Sequence, residues 1–199
     1  MIRPAVPSDA PKAIPLILEA IGSIALILTG TSVPEEAGCV LDQFFRQNGN
    51  RVSYQNALIL EDWPEHGAND PLAHTRDVVG VALMYDGSIA RRLDEPLEQA
   101  AIQKSGISGY HIPTEAEPSE FYLDTVSVDP RCRGRGFGRD LIEASCERAR
   151  NLGHSRVGLL VDIVNAGSKR LYERLEFQVE GRKQIAGEEY LHMVRHLQR

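Results

Sequence analysis

One passage restricts the fold more than any other. From Phe121 onward a β-rich run leads through Asp129-Pro130-Arg131-Cys132-Arg133-Gly134-Arg135-Gly136-Phe137-Gly138-Arg139 into a helix-patterned run. Phe121 to Val128 is rich in aromatic and β-branched residues and is closed by Asp129-Pro130, which marks a strand end. Beyond the turn, Gly138, Leu141, Ile142, Ser145, Ala149 and Leu152 fall on one helical face, and Gly153 follows as a stop. The alternating glycines let the backbone turn tightly with its N–H groups exposed. A helix that opens there adds unpaired donors and the positive end of its dipole. Phosphate groups bind at such termini. Arg131, Arg133, Arg135 and Arg139 make the turn cationic in a chain of formal net charge −6, so it reads as a site for a phosphorylated ligand.

The rest of this half extends the pattern. Arg156 to Val161 reads as a buried strand. Asn165 to Leu175 reads as a second amphipathic helix, with Ser168, Leu171, Tyr172 and Leu175 on one face. Phe177 to Gln184 and Glu189 to His196 read as strands around Ala186-Gly187. Strand, turn, helix, strand in this order predicts an α/β unit in which 121–128 and 156–161 are parallel neighbours. Upstream, Ile2-Arg3 predicts an edge strand, and Ser8-Asp9-Ala10-Pro11 a helix start. That helix runs to about Gly30 with an interruption near Gly22. A second helix covers Glu35 to Arg46, closed by Asn48-Gly49-Asn50. Strands are expected over Ala57–Leu60 and Val78–Tyr85, joined by the polar loop Glu61–Thr75, and a helix over Arg91–Lys104 precedes a loop, Ser105–Pro118.

At 199 residues and ordinary composition, one domain over 1–199 is expected, with no internal repeat. The acidic balance argues against a general nucleic-acid binder. Cys39, Cys132 and Cys146 form no paired spacing, and Met1–Pro11 lacks a signal-peptide pattern; a reduced, cytoplasmic protein is expected. The apolar run Ile14–Thr29 is too short to span a membrane and carries Glu19, which favours a buried or interface helix; it would also suit a homodimer.

Three phosphate-binding loops differ from this one. A dinucleotide fingerprint would need a third glycine where Arg139 stands, a P-loop would need Gly-Lys-Ser/Thr, and an RGG-like RNA contact would sit in repetitive sequence. A plain glycine-rich turn with solvated arginines is the duller account. What remains is R-x-x-G-x-G at Arg133, Gly136 and Gly138, followed by Asn165 at the next helix start, Leu171-Tyr172, and Phe177. These residues resemble the GNAT family of N-acetyltransferases, over about Glu120 to Arg182; the likeness is diffuse over Ile2–Tyr85 and absent over Ser88–Ser119, a variable substrate-side segment in such families. The sequence departs from the family pattern at Ser168, where alanine is usual, and at Glu176, where glycine often precedes the Phe. A non-glycine residue at 176 costs on the order of 1 kcal/mol if the helix must end left-handed.

The resemblance implies a GNAT-like α/β fold: a mixed, mostly antiparallel central sheet with a splayed parallel strand pair, flanked by helices. It implies acetyl-CoA as co-substrate, its pyrophosphate held by the amides of Arg133, Gly134, Arg135, Gly136, Phe137 and Gly138, with Arg139 near phosphate or solvent. It further implies that the backbone of Val126, Ser127 and Val128 meets the pantetheine arm, joined by Asn165 and Ser168. Tyr172 becomes the candidate general acid for a departing thiolate; on spacing alone it is a core aromatic, as Asn165 alone is an N-cap. On the strand before the loop, Glu120, Tyr122 and Asp124 share a face by period-two alternation. Asp124 and Glu120 are candidates for base or substrate anchor, directly or through water, against the plainer reading of surface carboxylates.

The expected reaction is direct acetyl transfer to a primary amine of a small molecule or peptide N-terminus. By the same resemblance the loop 61–75 and the segment 88–119 wall the acceptor pocket, and both are acidic: Glu61, Asp62, Glu65 and Asp70 in one, Asp94, Glu95, Glu98, Glu115 and Glu117 in the other. A cationic acceptor follows if those charges are not merely solvated. No metal, nucleic-acid or membrane partner is expected: His192 and His196 lie four apart on a strand with no third ligand near. A non-catalytic acyl-CoA-binding module is the alternative.

Overall fold

A computed structural model describes residues 1–63 and 76–198. Its strands are β1 (Ile2–Pro4), β2 (Ala57–Asp62), β3 (Asp77–Asp86), β4 (Phe121–Val128), β5 (Arg156–Asp162), β6 (Gln178–Ile185) and β7 (Glu188–His196). Its helices are α1 (Ala10–Ile21), α2 (Ile24–Thr29), α3 (Pro34–Phe45), α4 (Ala90–Ser105), α5 (Phe137–Asn151) and α6 (Ala166–Arg174). The strands form one sheet in the order β1-β2-β3-β4-β5-β7-β6, with every neighbouring pair antiparallel except β4 and β5.

Alternation along the strands builds a core on each face. Leu58, Leu60, Ala82, Met84, Phe121 and Leu123 meet Leu141, Ile142, Cys146 and Ala149 of α5. Ala57, Ile59, Val81 and Leu83 meet Ala13, Ile17, Leu28, Leu41 and Phe45 from α1 to α3. The apolar run 14–28 is largely consumed in this second core: Ile14, Leu16, Ile17, Ala25 and Leu28 are buried, and Leu18, Ile21, Ile24 and Leu26 pack against it. Among the described residues no helix is long and apolar enough to cross a membrane.

Two local features open the sheet. The first is the parallel pair: β4 and β5 are joined only at Phe121↔Val157 and Tyr122↔Gly158, after which the strands diverge. The second is a bulge in β4. Leu83 pairs with Thr125 while the next residue, Met84, pairs with Leu123, so Asp124 is the extra residue. The bulge resets the alternation. Phe121 and Leu123 face α5 before it, and Val126 and Val128 do so after it, which turns Ser127 to the opposite face with Thr125.

The predicted elements are present with ends shifted by a residue or two, and three details differ. The long N-terminal helix is two helices broken at Gly22, whose φ is 51°. Glu61 and Asp62 belong to β2 rather than to the loop after it; Glu65 and Asp70 fall outside the described residues. Leu152 is 60% exposed because α5 ends at Asn151 and releases it from the buried face.

Candidate active site

The diverging strands leave a cleft of about 1030 Å³, bounded by β4 from Asp124 to Val128, by β5 from Leu160 to Asp162, by the start of α6 and by the α1–α2 break. Because β4 pairs with β3 along one edge and with β5 only at Phe121 and Tyr122, its other edge faces the opening over Val126 to Val128 with no strand paired to it.

At one end lies the cationic turn. Gly134 and Gly136 have φ of 78° and 86°, and a Cβ at either would meet nothing within 4 Å. Glycine is required there by backbone conformation, not by space. Gly136 caps α5, and the first helical bond runs from the Asp140 amide to the Gly136 carbonyl (3.1 Å). The amides of Phe137, Gly138 and Arg139 therefore stand outside the helical ladder, next to a turn at positive φ. This array of donors fits a diphosphate. The arginines divide in role: Arg131 pairs with Asp129 (2.6 Å), and Arg135 pairs with Asp62 (2.6 Å) and lies over the Phe137 ring. Arg133 donates to the Val128 carbonyl (3.1 Å) and to Glu19 of α1 (2.6 Å), joining the turn to the helix across the cleft.

On the far wall, Asn165 caps α6 by accepting from the Ser168 amide (3.0 Å), and both residues line the cleft. The plain N-cap reading and the cleft-lining reading coexist. Tyr172, one turn beyond Ser168, is half-buried and faces the same space; burial pushes its phenol up to about 12, so it carries its proton throughout the physiological range. α6 ends in a Schellman turn: the Phe177 amide donates to Tyr172 O (3.0 Å) and the Glu176 amide to Glu173 O (3.1 Å), with Glu176 at φ 66°. The Tyr172 and Phe177 rings meet edge to face at 5.8 Å. The helix end thus fixes the aromatic that lines the cleft.

A further part of the cleft wall is built around a residue the sequence did not single out. Arg51, 2% exposed, follows Asn50, whose side chain donates to Phe44 O (2.9 Å) and accepts from the Val52 amide (3.0 Å), tying the turn after α3. Arg51 donates to Asp124 Oδ2 from Nη2 (2.5 Å) and Nε (3.2 Å), to Glu115 Oε1 (2.9 Å) and to Asp94 Oδ1 (3.3 Å). Tyr85 adds a bond to Asp124 Oδ2 (2.9 Å), Tyr122 one to Glu115 Oε2 (3.0 Å), and Thr125 one to Asp124 Oδ1 (2.8 Å). Burial opposes the guanidinium charge, but Asp124 and Glu115 outweigh it and hold Arg51 well above its ordinary range. Asp94 shows the opposite balance: burial raises it to about 6 despite Arg51.

Of the two carboxylates predicted on β4, Asp124 lines the cleft. Glu120 does not. It is wholly buried, bonded to His192 Nε2 (2.9 Å) and to the Glu117 amide (3.0 Å), and its carboxylate lies where a Cβ on Gly158 would be. It shares a sheet face with Tyr122, but it closes the start of β4 and does not reach the opening. Among the acids of 88–119, Glu115 lines the cleft, whereas Glu98 accepts from Arg91 (2.6 Å) and the Ile112 amide (2.8 Å), and Glu117 pairs with Lys183 (2.5 Å).

The comparisons agree with this geometry. Residues 41–177 match the model of the Acetyltransferase (GNAT) family. The chain belongs to that family. It is 30% identical over 164 residues to a mycothiol acetyltransferase of Gordonia bronchialis, a match covering 74% of this chain and 48% of that protein. The chain thus spans about half the length of that curated relative. A crystal structure of an acetyltransferase superposes with a TM-score of 0.75 at 30% identity, covering 100% of both chains. An N-acetyltransferase from Staphylococcus aureus Mu50 shares the fold at 20% identity and TM-score 0.71, over 98% of this chain and 100% of that one.

Proposed function

We propose that this protein transfers the acetyl group of acetyl-CoA directly to a primary amine, carried by a small molecule or a peptide N-terminus. The observation that carries the reading is the continuity of one cleft, from Arg133 at the start of the glycine turn past the open edge of β4 to Tyr172, Asp124 and Glu115. Acetyl-CoA supplies an activated thioester, and the residues here account for its placement. Free amides of 137–139, with the turn at Gly134 and Gly136, hold the pyrophosphate. The unpaired edge of Val126, Ser127 and Val128 meets the pantetheine arm, with Asn165 and Ser168 opposite. Tyr172 keeps a proton to donate to a leaving sulfur.

Asp124 is the acceptor-side carboxylate. Three donors saturate Oδ2, while Oδ1 accepts one bond from Thr125 among the described residues, so it retains a lone pair for an ammonium or a bridging water. This supports Asp124 as an anchor or proton relay at the amine. The test has two steps. Thermal shift with acetyl-CoA, dephospho-CoA and ATP should show stabilisation by the CoA thioester, since a ligand that binds the native state raises Tm by mass action. A panel of primary amines should then release free thiol. Stabilisation without turnover on any amine would instead mark a non-catalytic acyl-CoA-binding module.

A further inference from the structure

We propose that Arg51 is a positioning residue of the reaction, which holds Asp124 and Glu115 at the acceptor end of the cleft in one fixed arrangement. The inference rests on the acetyltransferase reading given above, and it concerns a residue outside the cofactor turn and outside α6. Its basis is geometric. A buried arginine is rare unless paired, and here one guanidinium bridges carboxylates from three separate parts of the chain: Asp94 of α4, Glu115 of the segment after α4, and Asp124 at the bulge of β4. None of these three is tied to another by a direct bond among the described residues. Their relative positions are transmitted through Arg51.

The fork matters as much as the charge. Nε and Nη2 both reach Asp124 Oδ2 while Nη1 reaches Asp94, which only a planar, rigid donor set can do; a lysine ammonium is a point charge and cannot span all three. The groups facing Arg51 are Asp124 and Tyr122 of β4, Tyr85 of β3, Asp94 of α4, and Glu115. Arg51 is the one cation in ion pairs with these carboxylates among the described residues, and Lys183 of β6 reaches Glu115 only at its backbone carbonyl (2.7 Å). Its own donors are committed to these carboxylates, so it serves the amine indirectly. By occupying Oδ2 with Tyr85 it leaves Oδ1 as the Asp124 oxygen available to an acceptor.

The experiment compares wild type with R51K and Y85F. Acetyl-CoA affinity, measured by calorimetry, should stay within about twofold in both, since neither residue adjoins the glycine turn. R51K should lower kcat/KM for the amine at least tenfold, and Y85F several-fold. The carboxyl 13C resonances of Asp124 and Glu115 report the arrangement without turnover: both should shift in R51M and move part of the way back in R51K. Wild-type kinetics and unmoved carboxyl resonances in R51K and Y85F would overturn the inference, as would loss of acetyl-CoA binding in step with activity, which marks a purely structural role. If the Arg51 variants do not fold, Y85F decides: an unchanged kcat/KM and an unmoved Asp124 resonance refute the proposal. Wild type that neither binds acetyl-CoA nor acetylates an amine refutes the acetyltransferase reading instead, and the resonances, which need no turnover, keep the two failures separate.

Discussion

Replacing Glu176 by glycine should stabilise the protein, by an amount that follows from one turn of backbone. Glu176 sits at φ 66° as the residue after the α6 cap, and the Schellman bonds on either side of it, Phe177 N to Tyr172 O and Glu176 N to Glu173 O, hold it there. A side chain in that conformation costs about 1–2 kcal/mol because its Cβ crowds the following carbonyl. Glycine removes that strain, but it pays back about 0.5–1 kcal/mol of chain entropy. The Glu176 carboxylate is 3.5 Å from Arg195 and 79% exposed, a pair worth at most a few tenths of a kcal/mol. The net gain is about 0.5–1 kcal/mol, or roughly 1–4 °C in Tm for a chain of this length. Scanning calorimetry of E176G against E176A separates the causes: E176A keeps the Cβ and should not gain. A Tm for E176G at or below wild type would show that strain at 176 is not what the turn stores.

Tyr172→Phe should lower kcat by roughly tenfold or more while leaving acetyl-CoA affinity near wild type, since the ring packing on Phe177 survives and only the proton is lost; unchanged turnover refutes its role. With its phenol raised to about 12, Tyr172 cannot supply an alkaline limb below about pH 10, and an alkaline limb near neutrality must persist in the Phe variant. Gly136→Ala should weaken acetyl-CoA binding about 5- to 30-fold in calorimetry, from about 1–2 kcal/mol of strain at φ 86° with no clash. Asp94→Asn should raise Tm at pH 8 and give no gain near pH 4. Asp94 is raised to about 6 in the folded state from an ordinary 3.8, so the native protein holds the extra proton between those values and loses stability as pH rises through that window. Equal Tm shifts at both pH values would refute the assignment. Gly158→Ala should destabilise by about 1–3 kcal/mol, because its Cβ would lie 2.0 Å from the buried Glu120 carboxylate; denaturant midpoints check this, and Glu120→Ala should recover part of the loss.

The strand, turn and helix of 121–152 were legible because each carries a local cause: β-branched alternation, glycines that permit positive φ, and a 3.6-residue apolar face. The same holds for Asn165 as a cap and for the departure at Glu176, where the left-handed residue is present as the sequence suggests. Arg51 was not legible. Nothing around it in sequence is periodic, and its burial depends on partners 43, 64 and 73 residues away. A pattern search sees an arginine after a turn, and such residues are ordinarily solvated. Glu120 was misplaced for a related reason. Period-two alternation correctly put it on the face of Tyr122, but depth along the strand is decided by Gly158 and His192, which the strand itself does not encode.

Two rungs of parallel pairing and one extra residue account for most of the site. Phe121↔Val157 and Tyr122↔Gly158 bring β4 and β5 together, and Glu120 locks that joint from below through His192. Beyond it the strands part, so the groups that would have bonded across the gap are available to a ligand. The bulge at Asp124 then turns Asp124 and Thr125 toward the same space, which regular alternation would forbid. Arg51 and Tyr85 fix one oxygen of the carboxylate at the bulge and leave the other bonded to Thr125 alone among the described residues. Deleting Thr125 should restore regular alternation with Val126 still facing α5 and Ser127 still facing the cleft. Acetyl-CoA binding should therefore persist while amine transfer falls, because Asp124 loses the bulged backbone that sets it against Arg51 and Tyr85 and the Thr125 bond to its Oδ1. Equal loss of both in calorimetry and turnover would refute this account of the bulge.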